Sequence, residues 1–187
     1  GVIMVNVREA IEGLQSDNDK IRYVHFNKLM SVAEKKPQLL YPFWDVFVVM
    51  LGKPEVSNKY YAIHLIAAVI GADKQKKFEK IFNRFYKYLN HESPVVSLHI
   101  AGVSGKIVNA MPQLETKVTK RLLKVDTTSE TRHPELMKAY VIQAFDEYFD
   151  KIADKKKVLK FIEAELESAS PKTKKAAKAF LKKRNPA

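Results

Sequence analysis

The stretch Pro54-Glu-Val-Ser-Asn-Lys-Tyr-Tyr-Ala62 returns in character at Pro94-Val-Val-Ser-Leu-His-Ile-Ala101, Pro134-Glu-Leu-Met-Lys-Ala-Tyr140 and Pro171-Lys-Thr-Lys-Lys-Ala-Ala177. The four prolines stand 40, 40 and 37 residues apart. Each heads an apolar or alanine-rich run of helical character. Proline suits the first turn of a helix, because the N–H it lacks would have no partner there. Helix starts that recur at a fixed period of this length are the signature of a repeat architecture.

Working outward from the prolines, the chain divides into five helix pairs, at residues 4–36, 37–71, 76–111, 112–153 and 156–185, within a single domain over 1–187. In the first pair, Val5–Leu14 predicts a short helix. Ser16–Asp19 supplies short polar side chains able to bond free amides at the start of the next helix. That helix runs from about Lys20 to Lys35, with Ile21, Val24, Leu29 and Val32 as its apolar stripe. In the second pair, Pro42–Leu51 is apolar nearly all round, and the helix opened by Pro54 has almost no polar side after Tyr61. Such a helix belongs in the middle of the protein, with Gly71 as its C-cap. The third pair begins with an amphipathic helix, Lys76–Leu89, and continues from Pro94 to Ala110 with Gly102, Ser104 and Gly105 inside the second helix. Each glycine costs about 1 kcal/mol relative to alanine, so small residues there predict a close helix approach. Pro112-Gln113-Leu114 echoes Pro37-Gln38-Leu39 at two repeat lengths. The fourth pair runs Glu115–Val125, a polar turn Asp126–His133, then Pro134 to Ile152; the fifth runs Lys156–Leu166, then Pro171 to Arg184.

Five helix pairs at a period near 38, with a proline opening the second helix of four of them, resemble HEAT or armadillo-like repeats along essentially the whole chain. The resemblance implies an all-α, right-handed α-solenoid of about five HEAT-like pairs. The Asp and downstream Arg usual in HEAT repeats have one match, Asp17 or Asp19 with Arg22. The 34-residue period of tetratricopeptide repeats does not fit.

The totals bound the function. Among 187 residues, 33 basic and 21 acidic side chains give a net charge of +12, which draws the chain to anions. The absence of cysteine excludes disulfides, thiolate chemistry and cysteine-based zinc sites. Gly1-Val-Ile-Met-Val5 lacks the length and basic lead-in of a signal peptide. No apolar run reaches the roughly 20 residues of a membrane span. These features predict a cytoplasmic protein without membrane insertion.

A second echo lies in the first helices. Lys80-Ile-Phe-Asn-Arg84-Phe-Tyr-Lys87 matches Lys117-Val-Thr-Lys-Arg121-Leu-Leu-Lys124 at an offset of 37, with Lys156 and Lys160 as a partial third copy. Cations at i, i+4 and i+7 share one helix face. The set forms a candidate phosphate or anion ladder, against the plainer account of a solvated face. The second pair breaks the ladder, because its corresponding positions are uncharged. Aligned on the prolines they are Leu40, Trp44 and Phe47; aligned on the closing leucines they are Pro42, Val46 and Val49. An apolar outward strip is covered by another element, such as Val2–Val5, or meets a partner. Phe43, Trp44 and Phe47 are the candidate protein interface, and a homo-oligomer would form through helix 42–51. Candidate groove residues on the second helices are Tyr23, Asn27, His64, Ser97, Ser104, Asn109 and Lys138.

No motif announces a reaction. His25, His64, His91, His99 and His133 include no pair with helical metal-site spacing. Asp146, Glu147, Asp150 and Asp154 make an acidic stripe that the interleaved Lys151 and Lys155 would pair. In size, charge and class the chain resembles bacterial alkylpurine DNA glycosylases, whose tryptophans and aspartate line a DNA groove. Trp44 and Asp45 are adjacent, so they point about 100° apart on a helix, and no catalytic residue transfers. The sequence therefore predicts a non-enzymatic binding scaffold without cofactor or metal, for protein partners including acidic ones. Sequence-independent nucleic-acid binding is the alternative, and a glycosylase ranks below it.

Overall fold

The computed structural model describes residues 5–125 and 133–184. Within them the chain forms ten α-helices, joined by turns and short 3-10 segments, and no strand. Most of the polar turn expected at Asp126–His133, and residues 2–4 of the segment expected to cover the second pair, lie outside the described residues. The chain divides into two compact units, residues 1–81 and 82–187, where the sequence reading has one continuous domain.

In the first unit, α1 (Val7–Leu14) begins at Asn6, whose side chain accepts from the amide of Glu9 at 3.1 Å. Asn18 caps α2 (Asp19–Lys35) through bonds from the amides of Lys20 and Ile21. This is the capping expected of Ser16–Asp19. The buried stripe of α2 differs from the expected one. Leu29 is buried, but with it stand Arg22, Phe26 and Ala33, while Ile21 is 44% and Val24 50% exposed. The stripe includes Arg22 because the guanidinium is met inside by Ser16 O at 2.8 Å, Ser57 Oγ at 3.0 Å and Asp19 at 3.1 Å. A buried charge is tolerated when most of its hydrogens are satisfied; here both terminal nitrogens are bonded and the buried Nε has no hydrogen-bond partner. Of the two acidic partners anticipated for Arg22, it is Asp19 that pairs.

Helix α3 (Trp44–Leu51) follows two 3-10 turns, and α4 (Val56–Val69) is buried along most of its length, as its apolar sequence predicts. Pro54 stands two residues before α4, with Glu55 as the N-cap. Gly71 is not a left-handed cap. The helix tightens instead into a 3-10 turn, Ile70–Ala72, and among the described residues only Lys76 has a positive φ, 54°. Asp73, itself buried, then accepts from the amides of Lys77 and Phe78 at 2.9 and 2.8 Å and from the Tyr41 hydroxyl. It thus fixes the start of α5 (Lys77–Tyr86), where a carboxylate also suits the helix dipole. Within this unit α2 packs on α1 and α4, and α3 packs on α4.

The second unit takes the last turns of α5, then α6 (Pro94–Ala110), α7 (Glu115–Leu123), α8 (Pro134–Tyr148), α9 (Lys155–Ala164) and α10 (Pro171–Arg184). Pro94, Pro134 and Pro171 each stand at the first helical position, as the sequence predicts. Helix α8 packs between α6 and α10. A Cβ added at Gly105 would lie 2.7 Å from the Cβ of Glu147. Gly105 is therefore what lets α6 and α8 approach closely, and this contact outweighs its cost to the helix.

Several hydrogen bonds between distant residues share one offset. Asn109 Nδ2 donates to Glu147 O at 3.1 Å, Arg121 to Asn83 Oδ1 at 2.5 Å, the Ala153 amide to Glu115 Oε1 at 2.8 Å, and Thr173 Oγ1 to Glu135 O at 2.5 Å. All four span 38 residues. Other bonds between helices span 18 to 42 residues, as Tyr86 with Ser104 and Tyr61 with Asp19.

Candidate functional site

Helix α7 carries part of the basic surface of the second unit, as does α10, whose charged residues are all cations. Helix α7 presents Lys117, Lys120 and, past its end, Lys124 to solvent. The acid of its first turn, Glu115, is buried, and both carboxylate oxygens are engaged. Oε2 accepts from Thr119 at 2.6 Å and Oε1 from the Ala153 amide at 2.8 Å. The Tyr148 hydroxyl completes the chain by donating to Thr119 at 2.9 Å. Cations in the last turn, Lys120 and Arg121, also offset the negative end of the helix.

On the α5 side of α7, the Lys117 ammonium sits 4.3 Å from the centre of the buried Phe82 ring. The Arg121 guanidinium lies 5.5 Å from the same ring and donates to Asn83. Both cations are held by their neighbours over an aromatic face. Arg84 and Lys87 are exposed further along the chain. On the α9 side, Lys120, Lys124 and Lys157 border a shallow groove with Thr116, Leu123 and Ala153. Lys156 and Lys160 are exposed on α9, whose N-cap Asp154 accepts from the Lys157 amide at 3.1 Å. The structure thus brings Arg84, Lys87, Lys117, Arg121, Lys124, Lys156 and Lys160 into one unit. Lys80 is exposed on α5 in the other.

The candidate protein interface is corrected. Trp44 is 2% and Phe47 0% exposed, so both belong to the core; Phe43 is half-buried. The proline alignment misplaces the outward face of α3, and the leucine alignment finds it. Pro42 is exposed, Val46 half-buried, and Val49 60% exposed. Burial of Trp44 also removes the only tryptophan that could line a groove in the manner of the glycosylases.

The candidate groove residues separate into two sets. Tyr23, Asn27 and Asn109 are exposed and His64 is half-buried, its ring 4.6 Å from that of Tyr60 and 6.4 Å from that of Phe26. Ser97, Ser104 and Lys138 are buried and are not groove residues. Ser104 donates to Ile100 O at 2.8 Å and accepts from the Tyr86 hydroxyl at 2.9 Å. Lys138 Nζ makes an ion pair with Glu165 Oε1 at 2.8 Å, with Glu135 at 3.9 Å. Sequence reasoning missed this pair, because nothing local to either residue marks a partner 27 positions away.

Of the acidic stripe, Asp146 is ion-paired, through α10 and not through the interleaved lysines. Asp146 meets Arg184 at 2.7 Å and Lys183 at 3.3 Å. Lys151 bonds instead to Asn109 Oδ1, and Lys155 to the backbone oxygen of Ile152, both at 2.8 Å. Arg184 further covers Phe180 and Phe149, 3.7 and 4.5 Å from their ring centres. The thin apolar set of α10 is thereby supplemented by the stem and plane of an arginine. Among the described residues, no group of three His, Cys, Asp or Glu could hold a metal ion, and no helix is long and apolar enough to cross a membrane.

Burial pushes the phenols of Tyr61, Tyr86 and Tyr148 above the ordinary value of about 10. Tyr61 is raised to about 12, first by burial and then by its bond to Asp19 and the charge of that carboxylate. A raised phenol pKa means that the folded state prefers the neutral form. The resulting stability is fully present below pH about 10 and is lost as pH rises through the folded value. In an alkaline titration, the last tyrosinate absorbance is therefore expected only above pH about 11 and together with loss of helical circular dichroism. Complete tyrosine ionisation in a still-helical protein would contradict this burial.

No protein-family model and no curated protein matches the chain. Its fold is similar to crystal structures of engineered proteins from the Northeast Structural Genomics Consortium. One is 15% identical with a TM-score of 0.52, and the match covers 93% of this chain and 77% of that one. Another is 16% identical with a TM-score of 0.50, covering 95% of this chain and 47% of that one. These likenesses concern fold alone, and the class they support is an all-α protein.

Proposed function

We propose that the protein is a non-enzymatic binding scaffold of the cytoplasm, a right-handed array of five HEAT-like helix pairs whose basic outer surface receives acidic partners. Hydrogen bonds recurring at an offset of 38 residues support the array. The observation that carries the binding reading is the surface of α7. Its exposed charges are all cations, its one acid is buried and doubly bonded, and two of its cations are held over Phe82 by the neighbouring helix. A surface selected for solubility alone gains nothing from burying the acid and fixing the cations, since mixed charges serve solubility equally well.

Heparin affinity tests the reading. The protein is expected to be retained at physiological salt, and a Lys117→Glu/Lys124→Glu variant to elute at clearly lower salt. Flow-through of the folded protein at about 50 mM salt, a condition under which phosphate-binding surfaces hold strongly, would mean that the cations only solubilise.

A further inference from the structure

We propose that the acidic partner of this surface is double-stranded DNA, held by its phosphates across α5, α7 and α9 of the second unit without reading of base sequence. The proposal rests on the scaffold reading above and adds the partner.

Charge placement is the first ground. Of the net +12, residues 82–187 carry 21 basic and 12 acidic side chains, +9, of which the seven cations of α10 supply +7; the rest of the unit carries 14 and 12, +2, so the ground is the grouping of its cations on α5, α7 and α9 and not their net sum. On α7, Lys117, Arg121 and Lys124 follow one another at four and three residues. At about 1.5 Å per residue the steps are roughly 6 and 4.5 Å along the helix. Arg84 and Lys87 lie to one side, where Asn83 and Phe82 meet α7, and Lys157 to the other, across the groove from Lys120. Packed helices stand about 8–10 Å apart, so the cations form a two-dimensional array on a scale that meets several phosphates of a duplex, which carries one charge per ~1.7 Å of axis.

The second ground is the composition of the surface. Lysine predominates, and an ammonium binds phosphate as a point charge, without the fork geometry by which arginine reads guanine edges. Single strands bind chiefly by stacking bases on aromatic faces. Here Phe82 is buried and already covered by Lys117 and Arg121. Duplex RNA is recognised through its 2′-hydroxyls, for which neutral polar groups are needed, and Asn83 is already engaged with Arg121. Protein interfaces are centred on desolvated aromatic and apolar anchors, whereas the groove beside α7 is polar: Lys120, Lys124 and Lys157 border it with Thr116, Thr119 and the acidic Asp154, around a single leucine, Leu123.

The test is fluorescence anisotropy with a labelled 25-base-pair DNA duplex across a salt series. Two quadruple charge reversals are compared after circular dichroism has shown both folded. One is Lys117→Glu/Lys120→Glu/Lys124→Glu/Lys160→Glu. The other, with the same change in net charge, is Lys174→Glu/Lys175→Glu/Lys178→Glu/Lys182→Glu on α10. Wild-type binding is expected to fall with salt at a log–log slope near −5, from about six phosphate contacts at ~0.9 each. Unrelated duplex sequences should bind within about threefold of one another, as backbone contacts carry no sequence information. The first variant should lose at least ~100-fold in affinity and most of the slope, the second less than ~10-fold. Equal losses in both would overturn the proposal in favour of bulk charge. Retention on heparin without duplex binding, or tighter binding to polyglutamate or duplex RNA than to DNA, would overturn the DNA assignment and leave the scaffold reading standing. Failure on heparin and DNA alike would remove both.

Discussion

Lys138→Ala is expected to lower the unfolding free energy by roughly 3–5 kcal/mol, the usual cost of removing one partner from a buried ion pair. Lys138 on α8 is 8% exposed and Glu165, in the turn after α9, is 5% exposed; their charged atoms are 2.8 Å apart. Truncating the lysine leaves a carboxylate in the interior with no compensating charge. The loss belongs to the stranded charge, and an apolar replacement of both partners tests this. Lys138→Met/Glu165→Leu should recover most of the stability, to within about 1–2 kcal/mol of the wild type. Urea denaturation of the wild type and these two variants decides the matter. A loss below about 1 kcal/mol in Lys138→Ala would mean that water reaches Glu165 and solvates it, as it does surface pairs. The same turn packs on α10, which is in turn tied to α8 where Thr173 donates to Glu135 O, so the damage should spread to α10 first.

The second large effect concerns α3. Phe47→Ala is expected to cost about 3–5 kcal/mol, and Trp44→Ala a similar amount, because both side chains are closed in the core and their removal leaves a cavity as well as lost transfer energy. Val49→Ala, three-fifths exposed on the same helix, should fall within about 0.5 kcal/mol of the wild type. Trp44 reports on this directly. Its emission should be that of a buried indole and should not change on dilution, since the burial comes from the chain itself. A red-shifted emission in dilute protein, or a Phe47→Ala variant as stable as Val49→Ala, would place these aromatics at a surface after all.

These residues also show where reading the sequence stops. Proline position, cap chemistry and apolar density are local, so the starts of α6, α8 and α10, the Asn18 cap and the burial of α4 were all legible. The basic echo between α5 and α7 was legible for the same reason, as a spacing within each helix. Which side of a helix faces inward was less so. On α2, a pattern of apolar residues pointed to Ile21 and Val24, but the interior accepts Arg22, because three acceptors from Ser16, Asp19 and Ser57 are waiting there. On α3, where nearly every residue is apolar, hydropathy has no periodic contrast and two alignments gave opposite faces.

The sequence by itself determined an all-α chain, the proline-marked starts of three of its helices, and the larger excess of positive charge in the second unit, because each of these follows from residue type and spacing along the chain. The tertiary structure alone decided which polar groups are interior. The burial of Ser104, Lys138 and Glu115 depends on partners 18 to 38 residues distant that satisfy their hydrogen bonds or charge, the Tyr86 hydroxyl for Ser104, Glu165 for Lys138 and the Ala153 amide for Glu115. A polar side chain is placed inside by what it meets there, and that meeting is made only when the helices pack.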